Sequence, residues 1–319
     1  DTPSPLTGQE RVGLPHVARS TRSGRGPSRR GAASTYGYVA FAIHNNVVVE
    51  SSAVLPAPPS STPNDAAVLV VGRHSRASMR LAQDEAVALR HVLAYVTASD
   101  GSGHPRLRLF DLNTGLGMGV AGHGACTAVV TDGDAMVTVG SYQIVFLAVP
   151  KDAPALADDA ARAWAERPHA ATGDYRSRPI GAALRALDQP ASNDTSVTLI
   201  AGPSVIAQAR ALRLLADCRS AATLAIGQSD TGFGLALDDL DRGILMGRYE
   251  RCAVNDFSAQ SVSRVHLLLV RESGHVLAID TASTYGTMID GIGRAVAELK
   301  SRSVIRLGLE AVVTWEKRD

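Results

Sequence analysis

Short apolar, β-branched runs broken by Gly, Asp and Ser recur along most of this chain, a pattern that predicts strands rather than helices. One strand-like stretch covers Tyr36 to Val49, and a Pro/Ser spacer runs from Pro56 to Pro63. Then Ala67 to Val71, Met79 to Leu81, His91 to Val96, Leu107 to Leu112, Ala128 to Val130, Met136 to Val139 and Gln143 to Leu147 follow at short intervals. Strands so close together, with no helix between them, predict an antiparallel sandwich or barrel. From Ala222 the rhythm returns at Leu224 to Ile226, Phe233 to Leu237, Gly243 to Met246, His266 to Val270, Val276 to Asp280, Met288 to Ile289, Val304 to Leu307 and Val312 to Trp315.

The middle has a different period. Asp152 is a candidate N-cap before Pro154, and Leu156, Ala160 and Trp164 recur at helical spacing until Pro168. Ile180, Leu184 and Leu187 repeat the pattern before Pro190, and a third helix is expected from Pro203 to about Asp217, after a strand at Val197 to Ala201. The chain therefore divides into a tail at 1–35, a β unit at 36–150, a connector at 151–222 and a second β unit at 223–319. The expected class is mainly β: two antiparallel β-sandwiches joined by a partly helical connector.

Composition narrows the function. The 319 residues exceed the usual ~100–200 of one domain, in keeping with two units. Aromatics are only 4% and the net charge is +1, which argues against a stacking platform for nucleic acid. Arginine supplies nearly all the positive charge, as expected of a GC-rich, bacterial type of genome. The tail gathers Arg11, Arg19, Arg22, Arg25, Arg29 and Arg30 among Gly, Ser and Pro, and reads as a disordered basic arm. Cys126, Cys218 and Cys252 lie far apart and form no CxxC pair, so neither zinc nor a disulfide framework is indicated. No apolar run approaches a membrane span, and a cytoplasmic location is the expectation, although the chain opens on Asp1 and a missing signal stays open.

The two β units share a skeleton. Val71-Gly72-Arg73 matches Met246-Gly247-Arg248, and Val87-Ala88-Leu89-Arg90-His91 matches Val262-Ser263-Arg264-Val265-His266. A third match sets Asp111-Leu112-Asn113-Thr114-Gly115-Leu116-Gly117 against Asp280-Thr281-Ala282-Ser283-Thr284-Tyr285-Gly286, with Thr287 after it. The order agrees throughout, and the spacing agrees between the first two motifs. We read this as a divergent duplication.

This succession of Gly-Arg, Ser-x-x-His and a Ser-x-Asn-Gly-Thr-like segment resembles the forkhead-associated (FHA) domain, a β-sandwich whose apical loops bind phosphothreonine peptides. The resemblance covers about Gly232 to Asp319. It implies that Arg248 and Ser263 hold the phosphate, Thr284 adds a contact and Arg264 lies beside the peptide. Gly247, His266 and Gly286 would be structural. Tyr285 stands where the family usually has Asn, so the grip on the peptide backbone is expected to differ. In the first copy Ala88 replaces the serine, Leu89 the arginine, Gly115 the threonine, Leu116 the asparagine and Met118 the final threonine. That FHA-like copy is expected to be degenerate, a scaffold or partner surface.

Elementary chemistry supports the same roles. A phosphate dianion presents only acceptors, so its site needs donors, and a guanidinium fork supplies two parallel charge-assisted bonds. The hydroxyls of Ser263 and Thr284 add neutral donors, and loops at one end of a sandwich can converge them. The resulting expectation is a phosphothreonine-dependent adaptor in Ser/Thr kinase signalling, not an enzyme, with no cofactor or metal. Its partner would be a phosphothreonine protein, such as a Ser/Thr kinase or its substrate; nucleic acid and membrane are not expected partners. A phosphorylated Thr21, which sits between arginines in the tail, would offer a route to self-association by docking onto Arg248. The alternative is an interaction scaffold indifferent to phosphorylation.

Three rival motifs read better as structure. Gly117-Met118-Gly119-Val120-Ala121-Gly122 fits GxGxxG, but β-branched Val129-Val130 follow where a dinucleotide site needs a helix. Ser263, His266 and Asp280 invite a hydrolase triad, yet no GxSxG elbow is present, and residues three apart on a strand face opposite sides. Asp132 with Asp134, and Asp238, Asp239 and Asp241, are expected in hairpin turns.

Overall fold

The structure is a computed structural model. It describes residues 37–149, apart from 57–63, 65, 98–104, 113, 121–123 and 132, and residues 220–318, apart from 228–231 and 273. Between these it describes 174–177, 197–201 and 213–214. The basic tail with Thr21, the helices expected in the connector, and Cys218 lie outside the described residues.

The first unit is built from β1 (Gly37–His44), β2 (Val47–Pro56), β3 (Ala67–Gly72), β4 (Met79–Arg80), β5 (Val92–Thr97) and β6 (Arg106–Asp111). It continues with β7 (Met118–Val120), β8 (Gly124–Cys126), β9 (Ala128–Thr131), β10 (Ala135–Val139) and β11 (Tyr142–Val149). Then come β12 (Asp174–Ser177), β13 (Val197–Ala201) and β14 (Arg213–Leu214). The second unit holds β15 (Ala222–Ile226), β16 (Gly232–Leu235), helix α1 (Leu237–Arg242), β17 (Ile244–Met246), β18 (Leu267–Glu272) and β19 (His275–Asp280). It ends with β20 (Thr287–Ile289), β21 (Ile292–Gly293), β22 (Val296–Leu299), β23 (Arg302–Leu307) and β24 (Ala311–Lys317).

These strands make four sheets. In the first unit an outer sheet, β2-β1-β11-β10-β7-β8, faces an inner one, β12-β13-β9-β6-β5-β3-β4. In the second, the inner sheet is β17-β18-β19-β22 and the outer is β14-β16-β15-β24-β23-β20-β21. The chain order within the sheets corresponds: β3, β5, β6 and β9 stand as β17, β18, β19 and β22 do, and β1-β11-β10-β7-β8 runs as β15-β24-β23-β20-β21. Pairing is antiparallel except for β3 with β4 and β12 with β13. The strand expected at Val197 to Ala201 is present, and it extends the inner sheet of the first unit beside β9.

Several local expectations are corrected. Tyr36 to Val49 is not one strand: β1 and β2 form a hairpin turning at Asn45 and Asn46, both with φ above +50°. Asparagine tolerates that left-handed geometry better than other chiral residues, which makes a two-residue turn possible here. Arg213–Leu214 is a strand inside the stretch expected to be helical. The acidic run at Asp238, Asp239 and Asp241 is no hairpin turn but helix α1, whose first turn is tied by the Ala236 amide donating to the Asp239 carboxylate at 3.1 Å. The segment after Thr131 does not join a hairpin either; it crosses from β9 in the inner sheet to β10 in the outer one.

Burial alternates along the central strands, and both faces are dry. Val92, Ala94 and Val96 of β5 point into the core of the first sandwich, whereas Leu93 and Tyr95 point the other way. Leu267 and Leu269 of β18 enter the core of the second sandwich, while Leu268 and Val270 turn outward to meet Leu93, Tyr95 and Phe110. Leu277 and Ile279 of β19 join the same cluster. The two inner sheets thus pack face to face, and the layers run outer, inner, inner, outer. Each buried large apolar side chain in that seam contributes ~1.5–3 kcal/mol relative to exposure.

Charged groups cross the seam as well, the tightest of them Arg108. Arg108, on β6 and 1% exposed, pairs with Glu272 of β18 at 2.6 Å, and the Tyr95 hydroxyl donates to the same carboxylate at 3.4 Å. Burying an ion pair brings little net stability, but removing one partner leaves a charge in a low-dielectric place. Glu272→Gln is therefore expected to lower the unfolding free energy of the chain by about 3 kcal/mol, measured by denaturant titration. A loss below about 0.5 kcal/mol, the size typical of an exposed pair, would contradict a buried seam.

Candidate functional site

Three segments meet at one end of the second sandwich: the loop after β17, the approach to β18, and the connection from β19 to β20. Their meeting point is fixed by His266, which has no exposed surface. Its Nδ1 accepts from the Ser263 amide at 2.9 Å, so the proton sits on Nε2, which donates to the Gly286 carbonyl at 3.1 Å. A single neutral imidazole thereby spans both loops. Residues 263–266 precede the strand, so Ser263 and His266 meet through backbone and ring rather than on opposite strand faces as expected.

Gly247 allows the first loop to approach the second. A Cβ there would overlap the Arg264 carbonyl oxygen, which also receives the Tyr249 amide at 2.9 Å and the Cys252 thiol at 3.3 Å. The Arg248 amide donates to the Ser263 carbonyl at 3.1 Å. Its guanidinium is already partly committed: Nε donates to the Val262 carbonyl at 2.6 Å and Nη1 to Gln260 Oε1 at 2.8 Å. The Nε bond aims the fork, and the other N–H groups of its terminal nitrogens remain for an anion. The sequence did not anticipate that Nε would serve the protein itself.

Asp280 organises the third segment and is missing from the residues expected in the site. One of its oxygens accepts the Ser283 amide at 2.7 Å; the other accepts the hydroxyls of Ser283 and Thr287, both at 2.6 Å. An Asp followed by hydroxyl residues three and seven positions later is the signal that could have identified it. Within this frame the Thr284 amide donates to Ser263 Oγ at 3.0 Å, and the two hydroxyl oxygens stand 3.5 Å apart. Ser263 is 7% exposed, while Thr284 and Arg264 are exposed and Tyr285 is 57% exposed. Arg248, Ser263 and Thr284 are thus brought together as donors, Arg264 and Tyr285 stand at the rim, and Gly247, His266 and Gly286 lie in the support.

The hydrolase arrangement is not formed. His266 spends Nδ1 on the Ser263 amide and Nε2 on Gly286, and its nearest approach to Asp280 is 4.0 Å. The GxGxxG segment is equally unlike a dinucleotide turn, since Met118–Val120 is strand β7, paired with β8. Burial pushes the Cys126 and Cys252 thiols up to about 12, so both behave as packed apolar groups.

The first sandwich repeats the main bonds of the support. His91 Nδ1 accepts the Ala88 amide at 3.1 Å, and its Nε2 lies 3.0 Å from the Gly117 carbonyl. Arg73 Nε donates to Val87, its amide donates to Ala88, and Asp111 accepts the amide and hydroxyl of Thr114. Ala88 and Gly115, however, occupy the places of Ser263 and Thr284. Leu89 and Leu116, which are 41% and 61% exposed, occupy those of Arg264 and Tyr285.

Comparison with known proteins agrees with this geometry at one place. Residues 244–308 match the family model described as FHA domain, so the chain contains one FHA domain there. Among solved structures, the FhaA FHA domain in complex with the intracellular domain of Rv3910 is 24% identical, over 30% of this chain and 99% of that one, at a TM-score of 0.26. The FHA-1 structure of Mycobacterium tuberculosis Rv1747 is 21% identical over 31% and 96%, at a TM-score of 0.26. Slr1951 from Synechocystis is 25% identical over 31% and 99%, at a TM-score of 0.27. A search of curated proteins found no match. Among the described residues, no helix is long and apolar enough to cross a membrane.

His266 also gives the domain a pH dependence. Burial holds its pKa below the ordinary 6.5, against the opposing pull of the Asp280 carboxylate. The unfolded chain therefore takes up a proton before the folded one, and stability falls as the pH drops. Denaturant titrations are expected to give a constant stability above about pH 6.5 and a progressive loss below it. Stability that rises on acidification through that range would contradict the neutral bridge.

Proposed function

We propose that the chain is a phosphothreonine-dependent adaptor in Ser/Thr kinase signalling, reading a phosphopeptide through the second sandwich. The observation that carries this reading is that the loops bearing Arg248, Ser263 and Thr284 meet at one end of the sandwich, joined by the Arg248 amide to the Ser263 carbonyl and by the Thr284 amide to Ser263 Oγ. The family match over 244–308 supports it. Phosphate would take the terminal N–H groups of Arg248, displacing the exposed Gln260, together with the hydroxyls of Ser263 and Thr284. Arg264 would flank the peptide. Tyr285 offers a single hydroxyl where an amide would offer a donor and an acceptor, so backbone grip would be weaker and sequence preference set elsewhere.

The first sandwich is, in this reading, a second and degenerate FHA-like copy. Its matching strand order and matching histidine bridge support common descent, and Ala88 and Gly115 deprive it of donors. Its contribution is structural: it is neither an enzyme nor a second phosphate reader. A phosphorylated Thr21 could occupy the site in cis or from another copy.

The test is a calorimetric titration of the whole chain with a degenerate phosphothreonine peptide library and its unphosphorylated counterpart. Micromolar binding, about 8 kcal/mol, is expected for the phosphorylated peptides alone. Arg248→Ala is expected to weaken it by about tenfold or more, since each charge-assisted bond contributes ~1.5–3 kcal/mol. Equal binding of both libraries would instead establish the alternative, a scaffold indifferent to phosphorylation.

A further inference from the structure

The loop that carries Thr284 is held from behind by the first sandwich. Arg90, 8% exposed, donates from Nε and Nη2 to the Ala282 carbonyl at 3.2 and 2.7 Å. Ala282 has φ +60°, a left-handed conformation that costs alanine energy and persists only where its surroundings fix it. Arg76 Nη1 reaches the next carbonyl, that of Ser283, at 3.4 Å. The residue after that is Thr284, whose amide sets the Ser263 hydroxyl. A chain of contacts thus runs from Arg90 through Ala282 and Ser283 to the two hydroxyls expected to meet the phosphate.

Charge points the same way. The Arg90 guanidinium acts electrostatically on both Asp280 and His266, the two groups that frame the site. It cannot lose its proton, and in a poorly screened location a fixed cation raises the local affinity for an anion. The contact has a mirror counterpart: Arg251 of the second sandwich donates to the Thr114 carbonyl of the first at 2.7 Å, where Arg251 and Thr114 correspond to Arg76 and Ser283. Each sandwich therefore grips the equivalent loop of the other, as in an isologous dimer. Only one of the gripped loops bears phosphate donors, because Gly115 and Leu116 follow Thr114.

We propose that the phosphothreonine site is composite: Arg90, with help from Arg76, is a positioning residue supplied by the first sandwich, which fixes the 282–284 loop and adds permanent positive charge behind it. This rests on the phosphothreonine reading of the second sandwich. The degenerate copy then acts in recognition without touching the ligand.

The experiment is titration of the whole chain, wild type and variants, with a phosphothreonine peptide selected from the library at two salt concentrations, alongside thermal melts. Arg90→Ala is expected to weaken binding about tenfold and to flatten its salt dependence, since a fixed charge is gone. Arg90→Lys, which keeps the charge and loses the fork, is expected to recover part of the loss. Arg251→Ala removes the mirror contact and is expected to leave affinity within about twofold of wild type. If Arg90→Ala does not fold, Arg90→Lys and the exposed Arg76→Ala carry the test, each with an expected loss of about threefold. Wild-type binding that Arg248→Ala abolishes and every Arg90 and Arg76 variant leaves unchanged would overturn the composite site alone. A wild-type chain that binds no phosphothreonine peptide would overturn the reading beneath it as well.

Discussion

The site depends on one neutral imidazole. His266 accepts a hydrogen bond from the Ser263 amide and donates one to the Gly286 carbonyl, so it sets the distance between the loop bearing Ser263 and the loop bearing Thr284. The buried Thr281 hydroxyl adds a bond to the Val265 carbonyl at 3.0 Å beside it. The arrangement works because the ring is dry: water would compete for both bonds, and a charged ring would lose the first of them. The first sandwich has His91 in the same bridge with Ala88 and Gly115 at the places of Ser263 and Thr284, so the brace does not require those hydroxyls. Removing a buried, fully bonded ring is costly whether or not a ligand binds.

A second constraint comes from the seam. Inner sheets that are apolar on both faces cannot stand alone in water, and here each covers the other. Arg108 and Glu272 then fix which way the two sheets meet, since a buried charge tolerates only one partner geometry. The same orientation brings Arg90 under the Ala282 turn and Arg251 under Thr114. Packing, charge and loop position are thus one problem with one solution, and the 282–284 loop is held by a residue more than 190 positions earlier in the chain.

Much of this was legible in the sequence, and the gaps have physical reasons. The strands of both sandwiches follow from short β-branched runs, and the shared Gly-Arg and x-x-His spacings give the paired architecture. The sequence motifs also grouped Arg248, Ser263 and Thr284, and the fold brings their loops together. What escaped was the seam. The continuous apolar runs of His91 to Val96 and His266 to Val270 do signal strands buried on both faces, but periodicity says nothing of which surface covers them. Helix α1 was missed because Asp238, Asp239 and Asp241 look like turn residues; Asp241 is instead buried against Arg271, in two 2.6 Å bonds that only the fold creates. The Asn45 and Asn46 turn was hidden inside a run whose β-branched flanks read as one strand. Asp280 went unassigned because its partners, Ser283 and Thr287, were read only for their own place in the motif.

Where an anion lands on the second sandwich is the decisive question. Amide chemical shifts of the whole chain, followed by nuclear magnetic resonance as a phosphothreonine peptide is added, test it most directly. The largest changes should fall at Arg248, Ser263 and Thr284, with smaller ones at Arg90 across the seam and none at Ala88 or Gly115. Changes centred on Ala88, Leu89 and Leu116, or an identical pattern from the unphosphorylated peptide, would contradict it.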